Sequence, residues 1–153
     1  MISDKEVKKI AENFFKEFGF NAEVVASLSE EGERKTISIA IKAEEPDELV
    51  GPDAKILFDI QYILKLILKK KIAEYFYLDL DINDYKKKKS DYIKKQTATV
   101  ADEVSLMKKE KELPPMSPYE RRVAHLVLSD RKDVVAESEG SEPYRRIIVR
   151  PCL

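Results

Sequence analysis

The stretch Pro46-Asp-Glu-Leu-Val-Gly51-Pro-Asp-Ala54-Lys-Ile-Leu-Phe-Asp-Ile-Gln61 decides how the first half of the chain is read. Pro46 to Val50 suffices for one helical turn, and Gly51-Pro-Asp-Ala54 interrupts it. A long helix follows to about Lys71, with Ile56, Leu57, Ile60, Ile63, Leu64 and Ile67 expected in the core. Strands flank this pair of helices. Thr36 to Lys42 alternates, with Ile37, Ile39 and Ile41 on one face, and Tyr75 to Ile82 does the same with Phe76, Leu78, Leu80 and Ile82. Upstream, Ser3-Asp-Lys-Glu6 has the form of a capping box. It opens a helix that carries Val7, Ile10, Ala11, Phe14, Phe15 and Phe18 on one face and stops at Gly19. Residues 22–28 read as a strand and Ser29 to Glu33 as a turn. The order is α-β-β-α-α-β, a small layer sandwich.

Beyond it, Asn83 is placed to cap a lysine-rich helix from Asp84 to about Lys111, with a stripe of Tyr85, Tyr92, Ile93, Val100, Val104 and Met107. Pro114 and Pro115 end that segment. Ser117-Pro-Tyr-Glu120 combines a cap, a proline at the first helical position and a capping box, and the helix it starts reaches about Ser129. Val134 to Ser138 and Tyr144 to Arg150 read as strands joined by Glu139-Gly-Ser-Glu-Pro143. The expected organisation is a domain over 1–82, a linker helix over 83–112 and a small α/β domain over 113–153, α+β as a whole.

Charge is unevenly spread. Residues 1–82 hold 12 basic and 17 acidic side chains, and residues 83–153 hold 16 basic and 12 acidic. Of seven arginines, only Arg34 precedes position 121. The planar fork of arginine suits bidentate and stacked contacts with phosphates and bases. Composition balances that reading evenly against salt bridges to Glu120, Glu137, Glu139 and Glu142. The run Lys86-Lys-Lys-Lys89 is more readily a solvated helix face than a phosphate contact. A single cysteine, Cys152, excludes a disulfide framework and four-cysteine zinc sites, and it reads as a frayed terminal residue. No apolar run reaches the length of a membrane span and no secretory leader is visible, so a reduced, cytoplasmic setting is expected.

Two motifs bear on function. Gly51-Pro-Asp-Ala54 lies between two helices of a β-α-α-β unit, where a KH domain carries the G-x-x-G loop that clamps a nucleic-acid backbone. Arg121 and His125 stand four apart on one helix face, and His125 is the sole histidine. By itself that spacing is common, and a lone histidine is more often a packing residue. Here Pro115-Met-Ser-Pro-Tyr-Glu-Arg-Arg-Val-Ala-His125 is followed by Glu137-Ser-Glu-Gly-Ser-Glu-Pro-Tyr-Arg-Arg-Ile-Ile-Val149. This pair of segments resembles the Arg-x-x-x-His (R-three-H) single-stranded nucleic-acid-binding domain. Its wording resembles the bacterial Jag family (SpoIIIJ-associated, or KhpB, proteins), which places a KH domain directly before it.

The resemblance implies a type II-like KH fold followed by the R-three-H domain. It implies nucleic-acid contacts from Arg121 and His125 on an exposed helix face, with Arg122, Arg145, Arg146 and Gly140 nearby. Arg145 and Arg146 point to opposite sheet faces, so one of them is expected at the site. The expected partner is single-stranded RNA or DNA, with a small single-KH protein as a further one. The KH loop departs from the family pattern. Pro52 lacks an N–H, Asp53 adds negative charge and Ala54 adds a Cβ. The expectation is a degenerate loop, with a protein-interaction adaptor as the alternative function. No cofactor or metal is expected, and no nucleophile, base and orienting group stand together as an enzyme would need.

Overall fold

The computed structural model describes residues 2–152. The chain divides into two units between Lys86 and Lys87.

In the first unit, helix α1 (Asp4–Glu17) is capped by Ser3, whose hydroxyl accepts the Glu6 N–H at 3.2 Å. Val7, Ala11 and Phe15 are its buried face, while Phe18 is exposed. Strands β1 (Ala22–Glu31) and β2 (Arg34–Ala43) form an antiparallel hairpin in register from Ala22 against Ala43 to Glu31 against Arg34. Both strands extend further toward the turn than the apolar pattern indicates, because ladder hydrogen bonds use the backbone and tolerate polar side chains. Gly32, with φ of 62°, makes the two-residue turn.

Helix α2 (Pro46–Val50), a 3-10 turn over Pro52–Ala54 and helix α3 (Lys55–Lys69) carry the chain to β3 (Tyr77–Ile82). A helical crossover lets β3 run parallel to β2. The register sets Ile37 beside Leu78, Ile39 beside Leu80 and Ile41 beside Ile82, and all six side chains are buried. Helix α3 presents Leu57, Ile60, Leu64 and Leu68 to that layer. Ile56 and Ile63, expected inside, are 39% and 43% exposed, and Ile67 is only partly buried. The apolar arc of the helix, opposite Lys55, Asp59, Lys65 and Lys69, is wider than the face the sheet covers, so spacing could not select the core residues within it; contact with the sheet does. Gln61 adds a polar tie, its Oε1 accepting the Leu80 N–H at 3.0 Å.

Asn83, expected to cap the next helix, is used otherwise. Its side chain accepts from the Ala43 N–H at 2.8 Å and donates to the Ala43 carbonyl at 3.0 Å, closing the end of β2. The carboxylate of Asp81 accepts the Lys86 N–H instead.

The second unit is built on helix α4 (Tyr85–Met107), strands β4 (Lys111–Glu112), β5 (Val134–Glu139) and β6 (Arg146–Pro151), and helix α5 (Pro118–Ser129). The antiparallel sheet has the order β4-β6-β5. Ile93, Ala101 and Val104 of α4 pack with Leu113, Met116, Val123, Ala124, Leu128, Val134, Ile147 and Val149. The segment expected as a separate linker over 83–112 therefore supplies core to this unit. Tyr92 and Met107, expected on its buried stripe, are exposed, and the helix ends before Lys108, whose φ is 56°. Cys152 is exposed, but its backbone N–H is bound to the Asp133 carbonyl at 2.9 Å, so the chain is held there rather than frayed.

The α4 core contains one polar orphan. Thr97 is fully buried and its hydroxyl has no partner among the described residues. A buried, unpaired hydroxyl costs about 1–3 kcal/mol in desolvation. Thr97→Val keeps the shape and removes that cost, so urea unfolding should show a gain of about 1 kcal/mol. A loss of stability would mean that the hydroxyl is satisfied.

Candidate nucleic-acid interface

Helix α5 starts on a complete capping box: Ser117 Oγ accepts the Glu120 N–H at 3.3 Å, and Glu120 Oε2 accepts the Ser117 N–H at 3.0 Å. This fixes the first turn and so the direction in which Arg121 leaves the helix. Arg121 points inward. It is 9% exposed, donates to the Met116 carbonyl at 2.6 Å and to Glu142 Oε1 at 2.5 Å. Met116 precedes α5 and Glu142 lies in the β5–β6 loop, so one guanidinium joins the helix entry to the hairpin. The Met116 N–H donating to the Arg145 carbonyl at 3.2 Å reinforces the join. The expectation of Arg121 on an exposed face is corrected: its donors face carbonyl and carboxylate inside the unit.

His125, one turn on, is half-buried, and its Nε2 lies 2.7 Å from Ser138 Oγ on β5. Burial, and then the positive charge of Arg121, hold its pKa below the ordinary histidine value. The ring is therefore neutral near pH 7. A serine and a histidine at this distance have the spacing of a nucleophile and its base. Here the Arg121 charge disfavours the imidazolium that such chemistry requires, and among the described residues no carboxylate orients the ring. The pair reads as a hydrogen bond that seats the imidazole against the sheet.

The remaining arginines separate by partner. Arg131 bridges Asp102 and Asp133 at 2.6 Å each, which holds the Asp133 carboxyl well below the usual carboxylate range. Arg150 reaches Glu110, Glu137 and Glu139 at 2.7 to 3.0 Å. Arg146 forks onto Glu112 at 2.8 and 3.2 Å. Ile147 and Val149 face the core, so Arg146 and Arg150 lie on the opposite face of β6. That face gathers four glutamates around two arginines. Its excess of negative charge does not favour phosphate, so Arg146, expected near the site, belongs to the framework.

Arg122 and Arg145 differ. Arg122 is exposed on α5 and has no carboxylate partner among the described residues. Arg145 donates to the Gly140 carbonyl at 2.7 Å and the Ser138 carbonyl at 3.4 Å, leaving its charge unneutralised. Gly140, with φ of 90°, makes the bend that presents its carbonyl to Arg145. Three exposed side chains join these: Tyr119 and Leu126, which flank Arg122 at helical spacing, and Tyr144 beside Arg145. Sequence reasoning missed them, although each tyrosine stands within three residues of an arginine.

The lysine run contributes less. Lys86 binds Gln61 and Asp79 at 3.1 and 2.5 Å, Lys89 lies over the Tyr92 ring, and Lys87 and Lys88 are exposed. In the first unit, Gly51 is required by its φ of 73° and by the Ile56 side chain, which a Cβ would meet at 2.6 Å. Asp53 and Ala54 both take left-handed backbone, at φ of 54° and 59°, and Ala54 is buried. Helix α3 starts from Ala54 without a side-chain cap. The loop is thus set by backbone strain and packing, with a negative side chain exposed at Asp53.

Two measurements check these assignments. Arg121→Ala should lower stability by about 2 kcal/mol, as expected for charge-assisted bonds left unmade, and Arg121→Lys should recover only part of it because lysine cannot fork. Chemical denaturation reads both. For His125, a folded pKa below the unfolded one means stability is intact above the unfolded value of about 6.5 and declines as pH falls through the folded value. Thermal melting of wild type should weaken across that window, and His125→Gln should lose this component.

Residues 92–151 match the family model of the R-three-H domain. The chain is 28% identical over 148 residues to the RNA-binding protein KhpB of Clostridium symbiosum, covering 97% of this chain and 65% of that protein. It is 28% identical over 127 residues to RNA-binding protein KhpB of Streptococcus pneumoniae serotype 2, covering 83% of this chain and 39% of that one. The protein of the same name from Bacillus subtilis is 27% identical over 133 residues, with 84% and 64% covered. The chain thus spans less than two thirds of the length of these relatives. The capped helix, its Arg121–His125 pair and the β5–β6 hairpin fall inside the segment that matches the R-three-H domain model.

Proposed function

We propose that this chain is a regulatory protein that binds single-stranded nucleic acid, RNA before DNA, with the R-three-H domain as the main contact. The observation that carries this reading is Arg122, an exposed cation on α5 without a carboxylate partner among the described residues. Arg122 and Arg145 supply charge for phosphate. The neutral His125 ring and the exposed Tyr119 and Tyr144 supply stacking surface. Arg121 acts behind them by holding the helix and the hairpin together. The names of the relatives support RNA as the ligand.

The same reading places the chain in the Jag (KhpB) family, with residues 1–82 as a type II-like KH domain. Its α-β-β-α-α-β order and parallel β2–β3 pair support this. Asp53 and the strained Ala54 support a loop that grips backbone poorly. A small single-KH protein is the protein partner that the reading carries with it, and Phe58, Tyr62 and Leu66, exposed along α3, give it a surface. The setting is cytoplasmic and the role is binding, not catalysis. Among the described residues no helix is long and apolar enough to cross a membrane, and no cluster is placed to hold a metal.

The test is anisotropy of labelled single-stranded RNA at several salt concentrations. Arg122→Glu should weaken binding about tenfold and flatten the salt slope by about 0.7, the change for one phosphate contact on a single strand. Unchanged affinity and slope would overturn the assignment of Arg122.

A further inference from the structure

Arg34, the one arginine of the first unit, has a partner of an unusual kind. Its guanidinium lies 4.4 Å from the centroid of the Tyr77 ring. Tyr77 meets Tyr75 edge-to-face, with centroids 5.2 Å apart at 89°. The ammonium of Lys65 lies 5.5 Å from the Tyr75 centroid. The result is a ladder of cation, ring, ring and cation. Its rings are not core: Phe76, between them in sequence, is 2% exposed, while Tyr75 and Tyr77 are 65% and 42% exposed. Arg34 and Thr36 of β2 share the outward sheet face with Tyr77, which pairs with Thr36 in the register. Among the described residues neither Arg34 nor Lys65 forms a salt bridge.

We propose that Tyr75 and Tyr77, steadied by Arg34 and Lys65, form a shelf on which an unpaired base of a single-stranded nucleic acid stacks. This adds a second contact, and it rests on the reading of the chain as a single-strand binder. The surroundings select bases over phosphates. Glu31 stands opposite Arg34 in the hairpin and Glu33 precedes it, while Glu30 and Glu74 are both held by Lys35. Glu30, Glu31, Glu33 and Glu74 thus offset the charge of Arg34, Lys35 and Lys65, which leaves little net attraction for a phosphate and leaves the face of a neutral base unaffected. Exposed aromatic rings flanked by cations stack bases with little sequence preference. A unit whose acidic side chains outnumber its basic ones can thus hold a nucleic acid by its bases.

The test uses the whole chain with two labelled probes, oligoadenylate and an abasic ribose-phosphate strand of equal length. Tyr75→Ala with Tyr77→Ala should weaken oligoadenylate binding about tenfold, leave the salt slope unchanged, and leave abasic-strand binding as in wild type. Tyr75→Phe with Tyr77→Phe should retain wild-type affinity. If Arg122→Glu weakens binding and the alanine pair does not, the shelf is overturned and the R-three-H contact stands. If wild type binds neither probe, both are overturned. Should the alanine pair fail to fold, ultraviolet crosslinking of wild type to oligouridylate decides: adducts at Tyr75 or Tyr77 support the shelf, and their absence overturns it.

Discussion

The bonds of the buried Arg121 guanidinium to the Met116 carbonyl and to Glu142 organise the second unit. Taking a guanidinium out of water is costly unless its donors are met. Here they are met by the chain just before α5 and by the loop between β5 and β6, so helix and hairpin have one relation to each other. That relation sets His125 against Ser138. The four-residue spacing puts the imidazole one turn from Arg121, where burial first and then the positive charge hold its pKa below the ordinary histidine value. Neutral imidazole can stack and donate or accept one bond without adding charge that the interior would have to solvate.

The arginines of the second unit follow from the same constraint. A small unit has little core, and its hairpin carries glutamates on the face away from α5. Arg146 and Arg150 neutralise part of that charge across neighbouring strands, and Arg131 does so between α4 and the start of β5. Most of the arginine richness that suggests a ligand is therefore spent within the fold. What faces outward without a carboxylate is a smaller set, Arg122 and Arg145, with tyrosines beside them.

The first unit solves a different problem. Its sheet is closed on one side by α1 and α3, and its loop from Gly51 to Ala54 is shaped by left-handed backbone and by Ile56 filling the space beside Gly51. That chemistry gives no welcome to phosphate. Around the start of β3 the unit offers instead the exposed rings of Tyr75 and Tyr77, with Arg34 from β2 and Lys65 from α3 beside them.

The element order of the first unit, the alternating isoleucines of β2, both serine caps and the R-three-H segment were legible in the sequence, because local spacing and capping chemistry determine them; the short β4, read as part of the preceding helix, was not. Three things were decided by tertiary contact. Helix α3 carries Lys55, Asp59, Lys65 and Lys69 on one side but is apolar over a wide arc on the other, so only packing on the sheet chose Leu57 over Ile56 and Leu64 over Ile63. Asn83 follows a strand and precedes a helix, and only the approach of Ala43 made it a strand clasp rather than a cap. Each arginine carries the same charge in the sequence, and only the position of a carboxylate distant along the chain separates a framework arginine from a free one. Periodicity records which residues share a face; the partner across that face, and so the energy of burying or exposing it, exists only once the chain has folded.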